Sequence, residues 1–143
     1  MSVVTIYHGT AGALKNKIER EGELSPKRGN MNVYVTTDLE VAKNYSRAWT
    51  AWSLENGDEI EAAFGFRPEP KGLIVKTVIQ EEFLTKDPYN PEHEPNQYMV
   101  KGALYLDDAE LIDIDFSEKF SDPGEVMMAY GFWIGIGRAT DNG

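Results

Sequence analysis

The chain contains no cysteine and only two histidines, carries far fewer basic than acidic residues, and has no long apolar run. Without cysteine there are no disulfides and no thiolate metal sites, a composition compatible with the cytosol. The two histidines, His8 and His93, are too far apart in sequence for metal-ligand spacing, and no metal is expected. Lys and Arg number 14 against 24 Asp and Glu, a net charge of −10. Such a field favours solubility and repels phosphate backbones at long range, which weighs against a nucleic-acid partner. The longest apolar stretch, around Val126–Ile136, is interrupted by glycines and falls short of the ~20 residues that span a bilayer. Met1-Ser2-Val3-Val4 lacks the basic and apolar regions of a signal peptide. A cytoplasmic protein with no membrane partner is therefore expected.

What is present suits an ordinary folded chain. At 143 residues, 41% hydrophobic and 27% charged, the sequence predicts one domain over 1–143 that buries roughly two-thirds of its surface. The segment 121–143 is apolar and broken by glycines. Its pattern fits strand or helix, and its role is open between closing the sheet and binding a partner.

Taken in order, Val3-Val4-Thr5-Ile6-Tyr7 is β-branched and predicts a strand ending at His8-Gly9-Thr10. Residues 11–21 read as a helix with Leu14 and Ile18 on one face and Gly22 as its stop. A polar loop with Lys27 and Arg28 follows, two cations that suit either solvent or a pyrophosphate. Asn32-Val33-Tyr34-Val35-Thr36 is a second strand, and Thr37-Asp38-Leu39-Glu40 has the form of a capping box. The helix it opens, 38–54, places Leu39, Ala42, Tyr45, Trp49 and Trp52 at spacings of three and four, an apolar face. Trp49 and Trp52 on that face read as packing residues.

The stretch from Asn56 to Gly72 reads as irregular, a flap or a mobile surface loop. Leu73–Ile79 is the clearest strand. Prolines at 88, 91 and 95 exclude regular structure over 85–96. Strands are then expected at Tyr98–Val100, Leu104–Leu106 and Glu110–Phe116, the last alternating as a half-buried strand does.

The residues that stand out chemically are a histidine and a glycine closing one strand, a tyrosine on the next, and a tyrosine on the helix after it. Glycine lets backbone approach a ligand closely. One imidazole, two phenol rings and backbone amides suit a flat, amide-bearing ring. Each also has a plainer role: His8 as the cap of a strand end, Tyr45 as core.

Three blocks, in order, carry a resemblance: Tyr7-His8-Gly9-Thr10, then Val33-Tyr34-Val35-Thr36 with Tyr45 eleven residues beyond Tyr34, then Asn96-Gln97-Tyr98-Met99-Val100. This pattern resembles the H-Y-[E/D/Q] group of ADP-ribosyltransferases, which includes poly(ADP-ribose) polymerase catalytic domains, diphtheria-type toxins and the small rifamycin ADP-ribosyltransferases. The last are similar also in size and in an Asp-Pro-x-Asn segment, here Asp87-Pro88-Tyr89-Asn90.

The resemblance implies an α+β fold, two packed, mainly antiparallel sheets with a few flanking helices and an NAD cleft. It implies NAD⁺ as co-substrate, cleaved at the nicotinamide–ribose bond, with ADP-ribose passed to a small hydroxylated molecule or a protein. Gly9 would pair its backbone with the nicotinamide carboxamide, His8 would bind the adenosine ribose, and Tyr34 and Tyr45 would sandwich the nicotinamide.

Two positions depart from the polymerase pattern. Gln97 stands in place of a glutamate, and can hydrogen-bond a ribose hydroxyl but cannot act as a base. Mono-ADP-ribosylation is implied rather than chain elongation, with Asp87 as the substitute acid by likeness to the rifamycin enzymes, or as simple turn chemistry. Ala42 replaces a serine that touches the carboxamide, a contact left to Ser46 or Thr10. Rival readings are a non-catalytic module binding NAD, ADP-ribose or a protein, and an NAD-dependent RNA 2′-phosphotransferase, which the acidity disfavours.

Overall fold

Residues 2–26, 32–86 and 96–140 are described by a computed structural model. Its strands are β1 (Val3–Ala11), β2 (Glu23–Leu24), β3 (Asn32–Thr36), β4 (Lys71–Gln80), β5 (Thr85–Lys86), β6 (Gln97–Lys101), β7 (Leu104–Tyr105) and β8 (Glu110–Asp115). Its helices are α1 (Lys15–Glu21), α2 (Leu39–Glu55), α3 (Gly57–Phe64) and α4 (Pro123–Thr140). The architecture is α+β. A six-stranded sheet runs β5-β6-β3-β1-β4-β8 and a two-stranded one pairs β2 with β7. All of these pairings are antiparallel. The two sheets pack together as expected, but they are very unequal in size.

Strand alternation decides what each face of the large sheet meets. Ile6, Val33, Val35, Leu73, Val75 and Val100 point to one side and form the main core with Ile18 of α1, Leu24 of β2 and Leu104 of β7. The other side, carrying Gly9, Gly72 and Ile74, lies under α2. The clearest predicted strand is β4, because residues 72–75 are buried from both sides.

The way α2 is seated departs from its sequence pattern. Its buried residues are Ala42, Ser46, Ala48, Thr50, Ala51 and Ser53, all small. Trp49 and Trp52 are only half-buried and meet edge to face, 5.4 Å between centroids. Proximity to the sheet explains the choice. A Cβ on Gly9 would lie 2.0 Å from the Ala42 carbonyl oxygen, and one on Gly72 would lie 2.1 Å from Ser46 Oγ and 2.6 Å from the Phe116 ring. Backbone approaching backbone this closely needs glycine below and small side chains above.

Ser46 fastens the joint. Its hydroxyl donates to the Thr10 carbonyl at 2.8 Å and accepts the Leu73 N–H at 3.1 Å, so one buried oxygen bridges α2 to β1 and β4. Thr50 Oγ1 donates to the Ser46 carbonyl at 2.8 Å and lies 3.3 Å from the Lys71 carbonyl.

Element boundaries shift in ways local chemistry explains. The N-cap of α2 is Asp38, not Thr37: its carboxylate accepts the Glu40 N–H at 2.9 Å, while Thr36 Oγ1 accepts the Asp38 N–H at 3.1 Å. β1 runs to Ala11 and a 3₁₀ turn at Gly12–Leu14 precedes α1. Gly22 ends α1 in the left-handed region, φ 67°. The stretch read as a flap instead holds α3, closed by Gly65 at φ 77° and tied by Arg67 to Asp58 and Glu61. Residues 123–140 are helical, and α4 meets α2 through Val126, Ala129 and Ala51.

Ser46→Ala leaves the Thr10 carbonyl and the Leu73 N–H without this partner and is expected to cost about 2–4 kcal/mol. Gly9→Ala forces α2 off the sheet and is expected to cost at least about 3 kcal/mol. Urea denaturation of both variants checks this, and wild-type midpoints would overturn the seating described.

Candidate functional site

The site begins where the large sheet comes apart. β1 and β3 are joined at a single register pair, Tyr7↔Thr36. Unbroken pairing would continue with His8 against Val35 and Gly9 against Tyr34. Instead β1 continues to Ala11 in register with β4, and β3 stays in register with β6 from Asn32↔Lys101 to Thr36↔Gln97. The sheet is thus two three-stranded halves hinged at one pair, with His8 and Gly9 on one lip and Tyr34 on the other.

His8 spans the opening. Its Nδ1 lies 2.7 Å from the Tyr34 carbonyl oxygen. A carbonyl oxygen only accepts, so Nδ1 carries the proton and Nε2 is the acceptor of the neutral ring. The half-buried imidazole is thereby held in one tautomer and one orientation.

The two tyrosines reach the same side of the sheet. Tyr34 alternates with Val33 and Val35, which face the main core, and so points toward the side that α2 covers. Tyr45 comes from α2, one residue before Ser46, and its hydroxyl donates to the Gln97 side-chain carbonyl. Gln97 opens β6, opposite Thr36, and is 2% exposed. Tyr34, Tyr45 and Gln97 are therefore brought to one side of the sheet, while His8, in register with Val75, projects to the core side and meets Tyr34 through its backbone carbonyl. None bears a formal charge when the histidine is neutral.

The remaining expected residues are placed differently. Gly9 sits on the lip beside His8, and the proximity of Ala42 supplies a packing reason for a glycine there. Thr10 and Ser46 are both buried, and the Ser46 hydroxyl is engaged by the Thr10 carbonyl and the Leu73 N–H, with the Thr10 side chain in register with Leu73 on the core side. Asp87 lies outside the described residues, as do Lys27, Arg28 and His93.

Sequence reasoning missed Thr50 and Gly72 as parts of the support. A signal was present in the spacing of Ala42, Ser46, Thr50 and Ser53, a stripe of small residues on one helical face.

The resolved charge perturbations lie elsewhere. The Asp115 carboxyl is held below the usual carboxylate range by hydrogen bonding to Ser117. Lys15 is raised by its hydrogen bond to Asp113, and Arg67 by Glu61 and then Asp58. A surface hollow lined by Ser2, Gln80, Glu81 and Glu82 lies at the opposite end of β1 from Gly9 and lacks the site's aromatic character.

No protein-family model, curated protein or solved structure matches the chain. Among the described residues no helix is long and apolar enough to cross a membrane, and no group of three or more His, Cys, Asp and Glu is arranged to hold a metal.

The His8 geometry has a direct spectroscopic consequence. At about pH 8, where an ordinary imidazole is neutral, long-range ¹H–¹⁵N correlation is expected to show Nδ1 protonated and Nε2 as the bare nitrogen. The reverse tautomer would mean that the contact with the Tyr34 carbonyl is not made in solution.

Proposed function

We propose that this protein is an NAD⁺-dependent mono-ADP-ribosyltransferase. The observation that carries the reading is the His8–Tyr34 link at the point where β1 and β3 part, with Gly9 beside it and Tyr45 brought to the same face as Tyr34. It joins residues 26 positions apart in the sequence into one group.

Breaking the bond between ribose C1 and the pyridinium nitrogen sends the electron pair to nicotinamide and leaves an oxocarbenium-like ribose. An acceptor nucleophile then bonds to C1 and loses its proton. The demand on the protein is positioning and charge stabilisation more than covalent chemistry. Electron-rich faces of Tyr34 and Tyr45 suit a flat pyridinium. The acceptor nitrogen of His8 suits a ribose hydroxyl, which donates. An opening flanked by strands with unequal partners suits an amide, since backbone N–H and C=O groups complement a carboxamide.

The neutral Gln97 favours a single transfer over chain growth, because extending a chain needs a base to activate each incoming hydroxyl. The acceptor is a small hydroxylated molecule or a protein, and a basic surface would approach a chain of net charge −10 most readily.

A second reading is favoured by one observation. Gln97 is neutral and already engaged with Tyr45, which suits a module that binds NAD or ADP-ribose without cleaving it.

Purified protein is expected to release nicotinamide from NAD⁺, faster when cell lysate supplies an acceptor. His8→Ala and Tyr34→Ala should each lower release by about 100-fold or more, the scale of lost positioning. Binding of NAD⁺ without release, by folded protein, selects the binding module. Neither binding nor release rejects both readings.

A further inference from the structure

We infer that Gln97 is a positioning residue for the Tyr45 ring and makes no contact of its own with the dinucleotide. The inference rests on the transferase reading above and assigns Gln97 a role different from the ribose contact that its place in the sequence suggests.

Burial comes first. Gln97 is 2% exposed and belongs to the largest fully buried side chains of the described residues. A side chain this enclosed reaches a ligand only by leaving its place, which would strand a buried amide. Its carbonyl oxygen already accepts the Tyr45 hydroxyl.

Register comes second. Thr36 stands opposite Gln97, and Tyr34 opposite Met99. Directly opposed residues share a face, so Gln97, Met99, Thr36 and Tyr34 project to the same side of the sheet. Tyr45 arrives on that side from α2. Gln97 is therefore diagonal to Tyr34 and bonded to Tyr45, at a position from which it sets the distance between the two rings.

The third point is the geometry of Tyr45 itself. Its backbone is fixed by the adjacent Ser46, whose hydroxyl is fastened to Thr10 and Leu73. The far end of the ring is fixed by Gln97. A ring held at its base and its tip loses its freedom about the first side-chain torsion, so the ring axis enters binding already placed. A neutral acceptor performs this without burying a charge.

If Gln97 acts through Tyr45, the two residues form one functional unit and their losses do not add. In a double-mutant cycle, Gln97→Met and Tyr45→Phe should each raise the Kd and the KM for NAD⁺ about tenfold, the equivalent of one lost hydrogen bond. The double variant should be no weaker than the worse single one. Nicotinamide release at saturating NAD⁺ should change little, since an ordered stacking ring acts on ground and transition states alike. A purely structural role would lower the melting temperature and leave KM unmoved.

Losses that multiply to about 100-fold, or that fall on kcat, would place Gln97 on the ribose and overturn the inference while leaving the transferase reading intact. Absence of both NAD⁺ binding and release from the wild type would overturn the two together. Should Gln97→Met fail to fold, the wild type answers by proton NMR. The Tyr45 hydroxyl proton is expected to stay protected from exchange when NAD⁺ saturates the protein. Loss of that protection on binding would mean that Gln97 transfers its hydrogen bond to the ligand, and would overturn the inference.

Discussion

The hydroxyl of Ser46 is the contact on which the rest of the structure turns. One buried oxygen donates to Thr10 in β1 and accepts from Leu73 in β4, and so fixes the height and rotation of α2 over the sheet. Everything that α2 delivers follows from this seat. The small residues at 42, 46, 50 and 53 face downward because the helix rides close to Gly9 and Gly72. Tyr45, one residue from the fastening point, is turned toward Gln97, and the two tryptophans are left partly in solvent. A larger residue on either strand would raise the helix and dissolve this arrangement.

The second constraint is the incomplete pairing of β1 with β3. An antiparallel ladder satisfies backbone groups at regular intervals, and its interruption is costly unless other groups take over. Here His8 takes part of that role by bonding to the Tyr34 carbonyl across the gap. The histidine is both a structural bridge and the group that the proposed chemistry requires. The hinge at Tyr7↔Thr36 keeps the two halves of the sheet in one body. The core on the opposite face, built from Ile6, Val35, Leu73 and Val75 with Leu24 and Leu104, runs beneath both halves and stops them separating further.

Much of the framework was legible because it is local. β-branched runs place β1, β3 and β4, alternation places β8, and glycine in the left-handed region closes α1 at Gly22. The span of α2 was legible to within a residue at each end. Its buried face was not. Periodicity identifies apolar and polar stripes, but the stripe that goes down depends on the surface waiting for it, and two glycine-bearing strands admit only a flat stripe. The same limit hid α3, whose acidic first turn and short length carry little apolar signal. In α4 the many glycines left helix and strand equally open until Val126 and Ala129 met Ala51.

The sequence by itself determined most of the long strands, the first two helices, the acidity, and the presence of a histidine, a glycine and two tyrosines at telling intervals. Those are properties of short segments, set by backbone preference and side-chain alternation. Only the tertiary structure decided what these residues do to one another. His8 meets Tyr34 across 26 positions, Ser46 meets Thr10 across 36, and Tyr45 meets Gln97 across 52. No local pattern encodes such partners, because they arise from strand order and from the height of one helix over the sheet.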